Sequence, residues 1–183
     1  MTTNIYISML RGINVSGKNI IKMEALKKVF EQLGFKNINT YLQSGNVIFS
    51  DSKSSSPASR QSLITSEIKK NLGVNPSVIV LTKGELKKII EQCPFAEDKE
   101  KKFIHYTFLS EPPRRYNLES INKKKAPNEE VFISERAVYL YCPNGYGKTK
   151  LNNSFFEKIL QTNATTRNFR STNNILKIME GEE

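Results

Sequence analysis

The feature that most constrains this chain is the order in which its apolar residues change period. Runs suited to β-strands and stretches with helical spacing follow one another as strand, helix, strand, strand, helix, strand, and the same order then returns. Ile5 to Leu10 is a short apolar run that ends at Arg11-Gly12, and a glycine- and asparagine-rich turn, Ile13 to Asn19, follows it. From Lys22 to Leu33 the residues Met23, Leu26, Val29, Phe30 and Leu33 recur at helical spacing, with Gly34 where a C-terminal cap belongs. Ile38 to Leu42 and Val47 to Ser50 flank Gln43-Ser44-Gly45-Asn46 and read as a hairpin. The serine-rich stretch 51–59 reads as a flexible connection. Pro57 to Leu72 is the next helix, Val78 to Leu81 a strand, and Lys83 to Cys93 a helix capped by Thr82 and ended by Pro94.

The second half repeats the order. Phe103 to Leu109 is a strand, Arg115 to Ile121 a short helix, and Val131 to Ser134 with Val138 to Cys142 a second hairpin. Ser154 to Leu160 is a helix that opens on a Ser-x-x-Glu capping box, Thr165 to Phe169 a short last strand, and Ser171 to Met179 a closing helix. The fold class expected is therefore α+β, a duplicated ferredoxin-like arrangement of split β-α-β units with antiparallel sheets, divided as residues 1–95 and 96–183. The halves share element order rather than visible residue identity.

This topology sorts loops onto the two ends of each sheet. In the first half it gathers Arg11, Asn14, Lys18, Ser44 and Asn46, with a helix N-terminus beside them. In the second half it brings Lys123 to Lys125, the loop Pro143 to Lys150, Arg167 and Arg170 to a common end. The bland reading of the first cluster is that asparagine and glycine serve positive φ at turns and that Arg11 packs against a loop. The bland reading of the second is a surface loop with solvated lysines.

Val138 to Phe156 reads as strand, glycine- and lysine-containing loop, then helix, an arrangement suited to holding an anion. It stops short of a P-loop, G-x-x-x-x-G-K-S/T: Gly147-Lys148-Thr149 supplies the second half, but Cys142 stands where the first glycine belongs. The aspartates, Asp51 and Asp98, do not read as following a buried run, so no acidic residue is in view to hold Mg²⁺. Tyr139 and Tyr141 alternate on one side of a strand, as in sheets that stack single-stranded RNA, although the R/K-G-F/Y-G/A-F-V-x-F/Y pattern is absent. His105 sits in an apolar strand and reads as a core histidine.

The formal net charge is +10, and from Arg136 to Lys177 seven basic residues face one acid, Glu157. Such an excess points to a polyanionic partner. With one histidine and no Cys-x-x-Cys, neither a zinc site nor another cofactor is expected. No apolar run approaches a membrane span and the N-terminus lacks signal-peptide character, so no membrane partner and a cytoplasmic location are expected, with Cys93 and Cys142 reduced.

The blocks L-R-G-I-N-V-S-G-K-N (10–19), L-G-F (33–35), T-Y-L-Q-S-G-N-V-I-F (40–49), C-P-F (93–95), F-L-S-E-P-P (108–113), L-Y-C-P-N-G-Y-G-K-T-K-L (140–151) and A-T-T-R-N-F (164–169) resemble the bacterial family catalogued as domain of unknown function 1697. The resemblance runs from end to end. It implies a cytoplasmic α+β protein with the duplicated arrangement and no established activity or cofactor. It also draws interest to Arg11, Asn14, Ser44, Asn46, Lys148, Lys150, Arg167 and Asn168, without giving them roles. The functional expectation is a phosphate-bearing ligand, nucleic acid or nucleotide, bound through the basic loops. The alternatives are an enzyme acting at the Arg11/Asn14/Ser44 cluster and a protein-interaction module. No motif fixes the oligomeric state.

Overall fold

The computed structural model describes residues 4–114 and 116–181. The first half contains β1 (Asn4–Arg11), α1 (Met23–Gln32), β2 (Lys36–Tyr41), β3 (Asn46–Asp51), α2 (Pro57–Leu72), β4 (Ser77–Thr82) and α3 (Lys83–Glu91). The second contains β5 (Ile104–Leu109), α4 (Leu118–Lys124), β6 (Glu130–Ile133), β7 (Ala137–Tyr141), α5 (Asn153–Leu160), β8 (Ala164–Asn168) and α6 (Phe169–Glu180). Each half builds a four-stranded antiparallel sheet, in the orders β2-β3-β1-β4 and β6-β7-β5-β8. These are the same order, and it is that of a split β-α-β unit. The residues up to Lys87 together with those from Ile175 onward form one compact unit, and Lys88–Asn174 form the other.

In the first unit, Tyr6, Leu10, Val47, Phe49, Val78 and Val80 point to one side of the sheet and are buried against Leu26, Val29 and Phe30 of α1 and Ile64 and Ile68 of α2. Rings close this core: Phe35 lies 4.4 Å and Phe30 5.4 Å from Phe49. Because strand side chains alternate, Ile7, Met9, Ile48, Ile79 and Leu81 point the other way, and these too are buried. β1, β3 and β4 are thus apolar on both faces, which is why they read as continuous runs rather than as alternation.

The serine-rich connection differs from expectation. Arg60 of α2 is 1% exposed and forms an ion pair with Asp51 at 2.9 Å. It also donates to the carbonyls of Lys53 and Ser55 and lies 4.1 Å over the ring of Tyr6. One buried guanidinium therefore ties down the connection, and its own burial is tolerated because every side of it meets an acceptor or a π face.

The second unit buries Leu109, Val138, Leu140, Cys142 and Ala164 beneath Ile121 of α4 and Phe156 and Leu160 of α5. Three boundaries move from their expected places. α4 begins at Leu118, where Asn117 accepts from Glu119 N–H, and Arg115, expected to start it, lies outside the described residues. α5 is capped by Asn152, which accepts from Phe155 N–H at 3.0 Å, not by a Ser154–Glu157 box; Glu157 accepts instead from Ala164 N–H. α6 starts directly after β8, with Asn168 accepting from Ser171 N–H at 2.8 Å. The box does form elsewhere: Thr82 and Glu85 cap α3 reciprocally.

Candidate functional site

In the first unit the antiparallel register brings the end of β1 beside the β2–β3 hairpin, with Met9 opposite Asn46 and Leu10 N–H bonded to Gly45 O. Asn14 holds the two loops together. Its Nδ2 donates to the carbonyls of Ile21 at 2.9 Å and Gln43 at 2.8 Å, while its Oδ1 accepts from Ile21 N–H. Asn46 is fully buried and donates to Tyr41 O and Ser44 Oγ, both at 2.9 Å. Gly45 has φ +79° and a Cβ there would stand 2.7 Å from Ile13 Cδ1 and 2.8 Å from Leu10 Cβ, so the hairpin tip accepts no side chain.

Arg11, Asn14, Lys18, Ser44 and Asn46 thus share one end of the unit, but the asparagines serve the backbone. Asn14 bonds to backbone groups of Ile21 and Gln43, and Asn46 to Tyr41 O and to Ser44 Oγ. Lys18 is exposed in a tight turn closed by its N–H to Val15 O, and Arg11 is half-buried opposite Ser77.

In the second unit Ile104 pairs with Tyr141 and His105 with Asn168, so the residues before β5, after β7 and after β8 emerge at one end of the sheet. β6 starts there as well, Glu130 pairing with Tyr141. The loop after β7 is organised from within. The N–H groups of Gly145, Lys148, Thr149 and Leu151 donate to Cys142 O, Gly145 O, Tyr146 O and Thr149 Oγ1. A P-loop instead turns its amides toward a phosphate. Cys142 is fully buried in the core, where burial and the nearby Glu129 push its thiol up to about 12. Asp51 does end a buried strand, contrary to the sequence reading, yet its carboxylate is committed to Arg60. The nucleoside triphosphatase reading therefore fails on geometry.

Lys148 and Lys150 stand exposed on this loop. The loop is anchored by Tyr146, whose ring stacks on His105 at 4.8 Å and whose hydroxyl donates to Thr166 Oγ1 at 3.0 Å. Thr166 in turn meets Thr107 at 2.7 Å and Asn153 at 2.6 Å. Asn128 and Asn144 exchange side-chain amide bonds at 3.1 and 3.0 Å, fastening the loop to the turn before β6. His105 is half-buried, and desolvation holds its imidazole below the usual range.

Arg167 points to the sheet face opposite Thr166, donating to Thr165 Oγ1 and Thr166 O, and burial brings its guanidinium down to about 10, still cationic at neutral pH. Asn168, singled out in the sequence, is the cap of α6. Lys123 and Lys124, at the carboxyl end of α4, are exposed, while Lys125 donates to Glu129 O. Part of the charge is paired on the surface, Lys123 with Glu119 at 2.7 Å, Lys99 with Glu130 at 2.5 Å and Lys102 with Glu100 at 2.8 Å. Lys101 and Lys102 extend the basic end, and a charge count begun at residue 136 passes over them. The signal was the Lys99-to-Lys102 run just before an apolar strand.

The stacking-sheet reading is corrected. Tyr139 is fully buried and its hydroxyl donates to Ile89 O at 2.9 Å, and Tyr106 is buried beside it. Tyr139 therefore offers no ring face to a base, while Tyr141, the other tyrosine of that reading, is half-buried at the end of β7. Among the described residues no group of three or more His, Cys, Asp or Glu could hold a metal ion, and no helix is long and apolar enough to cross a membrane.

Among solved structures the chain is similar to the conserved bacterial protein SP0830 from Streptococcus pneumoniae, with a TM-score of 0.75 at 18% identity, covering 97% of this chain and 99% of that one. At that identity the likeness concerns the fold. A search of curated proteins returns no match. The family described as "Protein of unknown function (DUF1697)" matches residues 1–139, three quarters of the length and all of the first unit up to Lys87, and the chain belongs to that family.

Proposed function

We propose that this protein binds nucleic acid through the basic end of its second unit, without a catalytic role, in the cytoplasm. The observation that carries this is convergence: Lys101 and Lys102, Lys123 and Lys124, Lys148 and Lys150, and Arg170 come from four separate chain segments, are exposed, and belong to loops or termini at one sheet end. Exposed lysines on an open surface suit an extended polyanion better than a small nucleotide, which calls for a concave, convergent site. Such binding is driven by counterion release, so log K falls steeply with log salt.

The test is fluorescence anisotropy of a labelled oligonucleotide across a salt series. Wild type should show a steep negative slope. The double variant Lys148→Ala/Lys150→Ala should bind more weakly with a slope shallower by about 1.4 to 1.8, since each lost phosphate contact removes about 0.7 to 0.9. Unchanged binding by the double variant would overturn the proposal. A flat salt response with a thermal shift from a single nucleotide would replace it with a small-ligand site.

A further inference from the structure

The basic end also carries rings. Phe103 precedes β5, Tyr141 ends β7 and Phe169 follows β8, and all three are half-buried. In the register, Ile104 pairs with Tyr141, and Phe169 lies one residue beyond the pair His105 and Asn168, so these rings border the same end of three adjacent strands. Each has a lysine over it: Lys102 lies 4.7 Å from the Phe103 centroid, Lys99 5.2 Å from Tyr141 and Lys101 5.5 Å from Phe169. Phe103 and Tyr141 meet edge to face at 6.1 Å, and Phe169 backs onto Tyr106 at 6.1 Å. Each ring thus packs against another ring and has an ammonium group over it.

We propose that this border takes the bases of a single-stranded nucleic acid, with Phe103, Tyr141 and Phe169 as stacking surfaces and Lys99, Lys101 and Lys102 moving from the rings to the phosphates. It rests on the nucleic-acid reading above and adds the strand form. The exchange is favourable by comparison of magnitudes. A lysine over a ring contributes roughly two- to fivefold and a surface ion pair, such as Lys99 with Glu130 and Lys102 with Glu100, at most roughly fivefold more, whereas a base stacked on an aromatic side chain contributes roughly five- to hundredfold. A displaced ammonium keeps a partner, because a phosphate follows every base. A duplex keeps its bases inside and gains nothing from the rings. Of the two tyrosines in the sheet reading only Tyr141 belongs to this border, since Tyr139 is buried, and Phe103 and Phe169 lie outside that reading.

The experiment compares three probes with the intact protein at one salt concentration: labelled oligothymidylate, an abasic strand of equal length and charge, and a mixed-sequence duplex. Oligothymidylate should bind at least tenfold tighter than the abasic strand and tighter than the duplex. Phe169→Leu and Phe103→Leu, which keep apolar bulk, should each reduce the ratio of oligothymidylate to abasic binding severalfold, with little change in melting temperature. Equal binding of the first two probes overturns the inference while leaving the polyanion reading intact, and it needs no variant to fold. A duplex bound as tightly as the single strand, or an unchanged ratio in both leucine variants, overturns it as well. Binding to none of the three overturns both readings.

Discussion

At the end of the first sheet, Asn14 and Asn46 direct their amides to the carbonyls of Ile21, Gln43 and Tyr41, and the two loops they hold contain Asn14, Ser16 and Asn19 in one and Leu42 in the other at positive φ. At the basic end of the second sheet, amide side chains again do the fastening, as Asn128 with Asn144 and as the caps Asn152 and Asn168. There, however, Lys148, Lys150 and Lys124 stand outside that framework in solvent. The same strand order thus yields one end whose conspicuous polar residues are structural and another where structure and displayed charge are carried by different residues. Positive φ outside glycine costs about 1 to 3 kcal/mol per residue unless its surroundings determine it, which is what the Asn14 bonds do. A lysine on a stable loop has no such task.

Substitutions can sharpen or break this contrast. The largest effect is expected at Asp51→Ala, which leaves the Arg60 guanidinium buried without its carboxylate; a loss of about 3–5 kcal/mol should appear in urea unfolding. Next comes Gly45→Ala, where overpacking against Ile13 and Leu10 adds to the strain of φ +79° and should cost about 3 kcal/mol by the same measurement. Asn14→Ala should cost about 2 kcal/mol through its three bonds. The contrast breaks if it costs no more than Lys148→Ala/Lys150→Ala, for which the expectation is a change within about 0.5 kcal/mol.

The smallest effect concerns pH. Burial lowers the folded-state pKa of His105, so the protonated form is less welcome in the folded protein than in the unfolded chain. Its contribution is fully present above the unfolded value of about 6.5 and is lost as pH falls through the folded value. Urea midpoints at pH 8 and pH 5 should therefore differ less in His105→Asn than in wild type. An equal difference in the two proteins would remove His105, and its stack on Tyr146, from the account of the basic loop.

The asparagines show why function was harder to read than fold. Asn14, Asn46 and Asn168 stand in conspicuous blocks, and a sequence cannot tell an amide that recognises a ligand from one that caps a helix or bridges two loops. That distinction depends on which carbonyl or N–H lies 2.8 Å away. Tyr139 failed in a similar manner, since alternation gives a side of the strand but not what covers it. Arg60 gave no signal at all, because a lone arginine on a helix looks the same whether it meets water or a buried aspartate.

The sequence by itself determined the element order, both hairpins, the α+β class and the sign of the charge. These are local properties, set by the period of apolar residues, by turn chemistry and by composition. Tertiary structure decided what each polar side chain does, which cations share a sheet end, and that lysines sit over the rings of Phe103, Tyr141 and Phe169. Those outcomes rest on strand register, and register joins residues far apart in the chain through hydrogen bonds that no local pattern records.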